Sequence, residues 1–70
     1  MIKKSDLTVG SIYSCTDSGT GNKTFYILTK KRPLDAEFKR LTNMENLYYF
    51  NYDVLLDEMQ EYDYEWEKVS

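Results

Sequence analysis

The chain has 70 residues, with 12 acidic and nine basic side chains, seven tyrosines, one cysteine and no histidine. A chain this short forms one domain at most, and its stability margin is about 3–5 kcal/mol. A lone cysteine, Cys15, excludes an intramolecular disulfide, and the absence of histidine removes the commonest zinc partner of a thiolate. We therefore expect a single domain, residues 1–70, held by aromatic packing, with no metal and no cofactor.

Targeting signals are not visible. Residues 1–6 are basic but no apolar stretch follows them, and the longest apolar runs are only a few residues. The sequence therefore predicts neither a signal peptide nor a membrane span. A lone thiol without an export signal is typical of a reducing compartment, so we expect a cytoplasmic protein.

Charge is distributed unevenly along the chain. Residues 1–40 contain eight Lys/Arg and four Asp/Glu, a balance of +4, whereas residues 41–70 contain one Lys and eight Asp/Glu, a balance of −7. The two halves add to the net charge of −3. Such asymmetry favours an electrostatic role for one half of the chain.

The first four predicted elements are β-strands, because β-branched and aromatic residues recur between clusters of turn formers. Gly10 interrupts the first strand, and Pro33 ends the second. The turn formers of residues 17–22 and 43–46 separate strands. The predicted strands are residues 6–16, 23–30, 37–42 and 47–51.

The hydrophobic period then changes from two to 3.6. An apolar stripe at i, i+3, i+4 and i+7 predicts a helix with Asn51 as its N-cap. The stripe consists of Tyr52, Leu55, Leu56 and Met59. From Tyr62 the alternation returns and predicts a final strand that ends at Val69. The predicted fold is mainly β, in the order β-β-β-β-α-β.

A single flat sheet with this composition would expose aromatic edge strands to aggregation. The opening Leu7-Thr8-Val9-Gly10-Ser11-Ile12-Tyr13 and the helical turn before the last strand resemble the SH3-like small β-barrels. That resemblance implies a curled β-barrel in which the last strand pairs near the first. The small size and the Lys/Asn/Tyr-rich composition are also similar to accessory proteins of phages and mobile elements.

Catalysis is not expected. General acid–base chemistry uses histidine most often, and no imidazole is available to activate Cys15 as a nucleophile. We interpret Cys15 as a small hydrophobic strand residue. Residues 19–23 contain two glycines and a lysine but lack the strand-to-helix context of a phosphate-binding loop, so they predict a turn.

Metal binding is the next possibility. Asp63, Glu65 and Glu67 alternate on the last strand and would present three oxygens on one face, as a hard cation requires. Their spacing is unlike that of a calcium loop, which needs a glycine-bearing turn. We therefore expect a solvated strand face and no metal site.

A basic cluster flanks Pro33 and makes nucleic-acid binding the alternative function. A hairpin at this proline would gather five cations, with Phe25, Tyr26 and Phe38 nearby to stack on bases. The cations are Lys30, Lys31, Arg32, Lys39 and Arg40. The sequence pI of about 4.8 argues against this alternative, because nucleic-acid-binding domains are usually basic.

The acidic half provides the preferred hypothesis. On the predicted helix, Asp53, Asp57 and Glu61 recur at i, i+4 and i+8, about 6 Å apart. Like charges at this spacing cost stability, so stability alone does not select them. The carboxylates either keep an aromatic-rich protein soluble or bind a basic partner.

We therefore predict a non-catalytic binding module that docks on a basic surface of a partner protein, with two tyrosines as anchors. Inhibition of a nucleic-acid enzyme is one function that such a module would have. Self-association through exposed tyrosines is a third possibility. The predicted contact residues are Asp57, Glu58, Glu61, Tyr62, Asp63, Tyr64, Glu65 and Glu67.

Overall fold

The computed structural model describes residues 2–70, and it is mainly β. The strands are β1 (Ile12–Asp17), β2 (Lys23–Lys31), β3 (Asp35–Arg40), β4 (Asn43–Asn51) and β5 (Tyr64–Lys68), with one helix, α1 (Tyr52–Leu55), and an N-terminal 3-10 turn (Lys4–Asp6). The predicted order of four strands, a short helix and a last strand is confirmed.

The five strands form one antiparallel sheet in the order β4-β3-β2-β1-β5. The first four are joined by hairpins, and β5 returns to pair with β1, with Trp66 opposite Cys15. The predicted pairing of the last strand with the first is therefore confirmed. Because β4 and β5 are the two edges of the sheet, its hydrogen bonds do not close it into a barrel.

The core lies on one face of this sheet and is dominated by aromatic rings. Tyr13, Phe38 and Trp66 are buried together with Leu28. The Trp66 ring on β5 lies 4.9 Å from the Phe50 ring on β4 and 5.4 Å from Phe38. The side chains of the two edge strands therefore meet across the core, although their backbones do not pair.

The N-terminal segment packs onto the core instead of extending β1. Ile2 and Leu7 are buried, and the Tyr13 hydroxyl accepts a hydrogen bond from the Thr8 N–H (2.8 Å) and donates one to the Asp6 carbonyl (2.6 Å). Gly10 has a φ of 93°, which few other residues adopt easily. The prediction of a strand from residue 6 was therefore wrong at its first six residues.

The turn between β3 and β4 also differs from the prediction. The chain reverses at residues 41–42, and β4 already begins at Asn43. The ladder is irregular here, because Lys39 pairs with Leu47 whereas Arg40 pairs with Asn43. The side chain of Asn43 accepts a hydrogen bond from the Glu45 N–H (3.2 Å), so the predicted turn chemistry is present within the start of the strand.

Helix α1 is a single turn and ends at Leu55, which is buried. The prediction that the apolar stripe continues to Met59 was wrong, since Met59 is 79% exposed. Within residues 2–70, no helix has the length and apolar composition needed to cross a lipid bilayer.

Candidate functional site

The loop between α1 and β5 is organised by one carboxylate. Asp57 accepts hydrogen bonds from the Glu61 N–H at Oδ1 (2.9 Å) and from the Tyr62 N–H at Oδ2 (2.8 Å). Gln60 has a φ of 54° and donates its N–H to the Asp57 carbonyl (3.2 Å). These bonds turn the chain back toward the sheet and explain why the helix does not continue.

The loop also forms a backbone hydrogen bond with the connection between β1 and β2. The Ser18 N–H, at the end of β1, donates to the Asp63 carbonyl (2.8 Å). Residues 57–63 are therefore fixed at both ends, by Asp57 at the start and by this backbone bond before β5.

A cavity of about 540 Å³ opens between this loop and the start of β5. Its lining combines aromatic rings with carboxylates and small polar groups. The lining residues are Ser18, Leu55, Asp57, Gln60, Tyr62, Tyr64, Glu65 and Trp66. We call it the Trp66 cavity.

A second, shallower cavity of about 310 Å³ adjoins the first, since Asp57 and Tyr62 line both. It is lined by Asp53, Leu56, Asp57, Glu58, Met59, Glu61 and Tyr62. Four of its seven lining residues are acidic, so both cavities are bordered by negative charge.

We call the eight predicted contact residues the acidic face: Asp57, Glu58, Glu61, Tyr62, Asp63, Tyr64, Glu65 and Glu67. Six of them line the two cavities. The other two do not line a cavity: Asp63 is in the loop, and Glu67 lies on β5, where its side chain and that of Glu65 point to the sheet face opposite Tyr64 and Trp66.

The structure brings these residues together by a different route from the predicted one. Asp57 and Glu61 lie beyond the end of α1, so the helical spacing expected for them was wrong. Asp63 precedes β5 rather than lying on it. The loop residues border the two cavities because the chain turns back at Asp57, not because one helix face aligns them.

None of the acidic-face carboxylates forms an ion pair with a lysine or arginine of residues 2–70. The ion pair in this part of the chain joins Arg32 Nε to Asp35 Oδ1 (2.9 Å), far along the sequence. The nearby Lys68 instead places Nζ 3.5 Å from Thr8 Oγ1. The negative charge of the face is therefore not neutralised within the described chain.

The tyrosines of the region differ in their exposure. Tyr62 and Tyr64 are 44% and 49% exposed, similar to Tyr49 on β4 at 48%. Tyr48 is half-buried, and its ring centroid lies 5.7 Å from that of Tyr26. The two exposed rings that flank the Trp66 cavity are thus the available aromatic contacts.

The basic cluster is not gathered at one end, so that prediction was wrong. Lys31 pairs with Ala36 next to the Pro33 turn, whereas Arg40 pairs with Tyr26 four residues further along β3, about 13 Å away. Lys39 lies next to Arg40 at that far end, and Lys30 next to Lys31 at the turn. Arg32 is engaged by Asp35 and stacks 4.9 Å above the Tyr49 ring.

Cys15 packs against the core as a half-buried residue. Burial, and secondarily the nearby Asp17 carboxylate, raise the pKa of the Cys15 thiol to about 11. The thiol is therefore protonated at neutral pH, in the form that packs as a small hydrophobe. Among residues 2–70, no three carboxylates or thiols converge as a metal site would require.

Comparison of the chain with models of protein families, with curated proteins and with solved structures finds no match.

Four residues of the Trp66 cavity were not predicted from the sequence as part of a site. Ser18 and Gln60 are unremarkable loop residues, and Leu55 was assigned to the helix core. Trp66 was expected in the core, where it is, but it also lines the cavity. The one available signal was its indole N–H, because a buried donor requires a partner.

Proposed function

We propose that this protein is a non-catalytic binding module whose acidic face docks on a basic surface of a partner protein. The observation that supports this proposal is the convergence of unpaired carboxylates and two exposed tyrosines around two adjoining cavities. Inhibition of a nucleic-acid enzyme is one function of such a module, since a negative face competes for a surface that binds phosphates.

The physical advantage of this arrangement is kinetic and energetic. Carboxylates that lack internal ion pairs raise the rate of encounter with a basic surface and need not break an internal ion pair to bind it. Tyr62 and Tyr64 add apolar area with few rotatable bonds, as tyrosines at interface hot spots do. The carboxylates therefore increase the association rate with the partner, and the two tyrosine rings stabilise the complex.

We also propose that the curved sheet belongs to the SH3-like type of small β-barrel. Two features support this: β5 pairs with β1 after a helical turn, and the Phe50 and Trp66 rings join the two edge strands across the core.

Two variants with the same net charge test the role of the face. Changing Glu58, Glu61, Glu65 and Glu67 to Gln raises the net charge from −3 to +1. The control Thr42→Lys, Glu45→Lys and Asn46→Lys makes the same change at exposed positions of the β3–β4 hairpin. Asp57 is kept in both variants because it holds the loop.

Binding to a peptide of alternating arginine and serine is then measured by titration at low and high salt. We expect the face variant to lose at least about tenfold in affinity and the control variant to lose much less, because local charge dominates over net charge within a Debye length of about 10 Å. Equal losses in both variants would show that the face has no special role.

The same titration with single-stranded DNA and RNA distinguishes docking on a basic protein from the alternative function, nucleic-acid binding. The proposal predicts no measurable nucleic-acid affinity. A steep, salt-dependent affinity that disappears when Lys30, Lys31 and Lys39 are changed to Gln would instead support nucleic-acid binding. Sedimentation of the free protein reports whether the tyrosines pair two copies.

A further inference from the structure

The two edge strands of the sheet differ in their protection against pairing with a further strand. β5 has five residues, and three of them are charged, whereas β4 has nine residues and one charge, Glu45. β4 also contains no lysine and no proline. Short length, charged side chains and proline are features by which edge strands avoid adding another strand. β4 is therefore the less protected edge.

Alternate residues of β4 direct their backbone groups away from the sheet. The Tyr52 N–H donates to the Leu34 carbonyl (3.2 Å), and bonded pairs in an antiparallel ladder recur at every second residue. Tyr48 and Phe50 therefore bond to β3, in a register that is regular over residues 47–51. The residues that alternate with them present both N–H and C=O to the open side of the strand. These residues are Leu47, Tyr49 and Asn51.

Residues 47–51, which we call the edge segment, have a composition that favours pairing with a copy of themselves. The segment consists of leucine, three aromatic residues and asparagine, without charge, proline or glycine, and such segments readily form strands. Leu47 and Tyr49 are 45% and 48% exposed, so the described chain leaves them uncovered. An identical segment can lie alongside without bringing like charges together, whereas an uncharged segment has no means of selecting a charged partner.

We propose that the edge segment pairs antiparallel with that of a second copy, so that two five-stranded sheets join into one ten-stranded sheet. A two-fold axis at Tyr49 uses the whole segment. It places Leu47 opposite Asn51 of the second copy, and Tyr48 opposite Phe50 of the second copy. The outward backbone groups then form ladder hydrogen bonds, and an aromatic cross-strand pair occurs twice. The contact is isologous, as in most two-subunit assemblies.

The expected dimer is weak. Pairing of five residues along one edge buries less than the roughly 1,200–2,000 Å² of a stable interface. We therefore expect a dissociation constant on the order of 100 µM. Such a constant leaves about a fifth of the chains monomeric at about 1 mM and about three quarters at about 20 µM, so these two concentrations are compared.

Amide hydrogen exchange of the unchanged protein tests the pairing without any substitution. The N–H groups of Leu47, Tyr49 and Asn51 are open in the monomer and bonded in the dimer. Their exchange should be about fourfold slower at the higher concentration than at the lower one. Tyr48 and Phe50 bond to β3 in both states, so their exchange should depend little on concentration. Sedimentation at the same two concentrations should show a shift from monomer to dimer.

Two exposed tyrosines on opposite edges of the sheet provide matched variants. Tyr49→Lys places two lysines directly opposite each other at the axis and should raise the dissociation constant at least about fivefold. Tyr64→Lys makes the same change on β5, at a residue of similar exposure, and should leave the dissociation constant unchanged. Circular dichroism checks that both variants are folded. If Tyr49→Lys does not fold, the exchange measurement on the unchanged protein decides the question.

Two results would overturn this inference. One is exchange of the outward amides that does not change with concentration, together with a monomer in sedimentation at about 1 mM. The other is a dimer that a folded Tyr49→Lys variant leaves intact, which would show that the copies associate through a different surface. The proposed function is tested separately by the peptide titrations, because the acidic face belongs to β5 and the loop before it, at the other edge of the sheet.

Discussion

The Tyr13 hydroxyl holds the N-terminal segment against β1. It is fully buried, and it joins the Asp6 carbonyl and the Thr8 N–H to β1. Tyr13→Phe leaves both backbone groups without this partner, so we expect a loss of about 1–3 kcal/mol in the free energy of unfolding. Urea denaturation followed by Trp66 fluorescence measures it.

The control for this substitution is Tyr48→Phe. Tyr48 is half-buried, and its hydroxyl forms no hydrogen bond within residues 2–70. Its removal should change the free energy of unfolding by less than about 0.5 kcal/mol. Equal effects of the two substitutions would show that the Tyr13 bonds contribute nothing to stability.

Glu37 makes the stability of the protein depend on pH. Its carboxylate accepts hydrogen bonds from the Thr29 hydroxyl (2.7 Å) and the Tyr49 hydroxyl (3.1 Å). The Thr29 bond first, then the Tyr49 bond and the positive charges of Lys30 and Arg32, lower the pKa of Glu37 below its ordinary value of 4.5. Burial opposes this shift only in part.

The direction of the pH effect follows from this shift. The folded protein binds the proton of Glu37 less readily than the unfolded chain, so Glu37 contributes stability above pH 4.5 that is lost as the pH falls through its lower folded pKa. We expect Glu37→Gln to reduce the slope of stability against pH in that acidic window. NMR titration of the Glu37 carboxyl carbon checks the shift itself, and a midpoint at or above 4.5 would contradict it.

At the scale of elements, the loop between α1 and β5 depends on Asp57. Asp57→Ala removes the acceptors for two backbone N–H groups. We expect the amides of Glu61 and Tyr62 to exchange hydrogen at least about fivefold faster, because each such bond contributes about 1 kcal/mol or more. Asp57→Asn keeps one acceptor oxygen and should show a smaller effect.

Glu58→Ala is the matched control for this loop. Glu58 is the exposed neighbour of Asp57, and its side chain forms no hydrogen bond within residues 2–70. Amide exchange at Glu61 and Tyr62 should be unchanged in this variant. If Glu58→Ala and Asp57→Ala accelerate exchange equally, Asp57 does not organise the loop.

The same loop shows which elements local patterns can predict. The strands were predictable because alternation and β-branched residues are local signals, and the β1–β5 pairing followed from the need to cover aromatic edges. The length of α1 was not predictable, because the Tyr52-to-Met59 stripe has a helical period. The longer helix is prevented by the hydrogen bonds that the Glu61 and Tyr62 N–H groups donate to Asp57, and the sequence pattern does not reveal these bonds.

The candidate site was predictable only in its residue types. The excess of late carboxylates and tyrosines identified the residues that surround the two cavities, but not the cavities. Ser18 belongs to the site through a backbone bond to Asp63, 45 positions away, and no local pattern reports such a contact. The N-terminal 3-10 turn was missed for a similar reason, since the Tyr13 hydroxyl holds it through tertiary contacts.

On the scale of the whole molecule, the charge asymmetry of the sequence is not cancelled by ion pairs, because none of the carboxylates of residues 41–70 pairs with a lysine or arginine within residues 2–70. In the basic half, by contrast, Arg32 is engaged internally by Asp35. An electrostatic face without internal partners acts over about a Debye length and weakens with salt. The position at which a basic peptide binds, and not only its affinity, therefore tests whether these carboxylates form the binding surface.

The most direct measurement is a map of the amide resonances of the unchanged protein during titration with the alternating arginine–serine peptide. We expect the shifts to concentrate in residues 57–67 and to disappear at high salt. Shifts spread evenly over the protein, or concentrated on the opposite face of the sheet around Phe25 and Leu47, would contradict it.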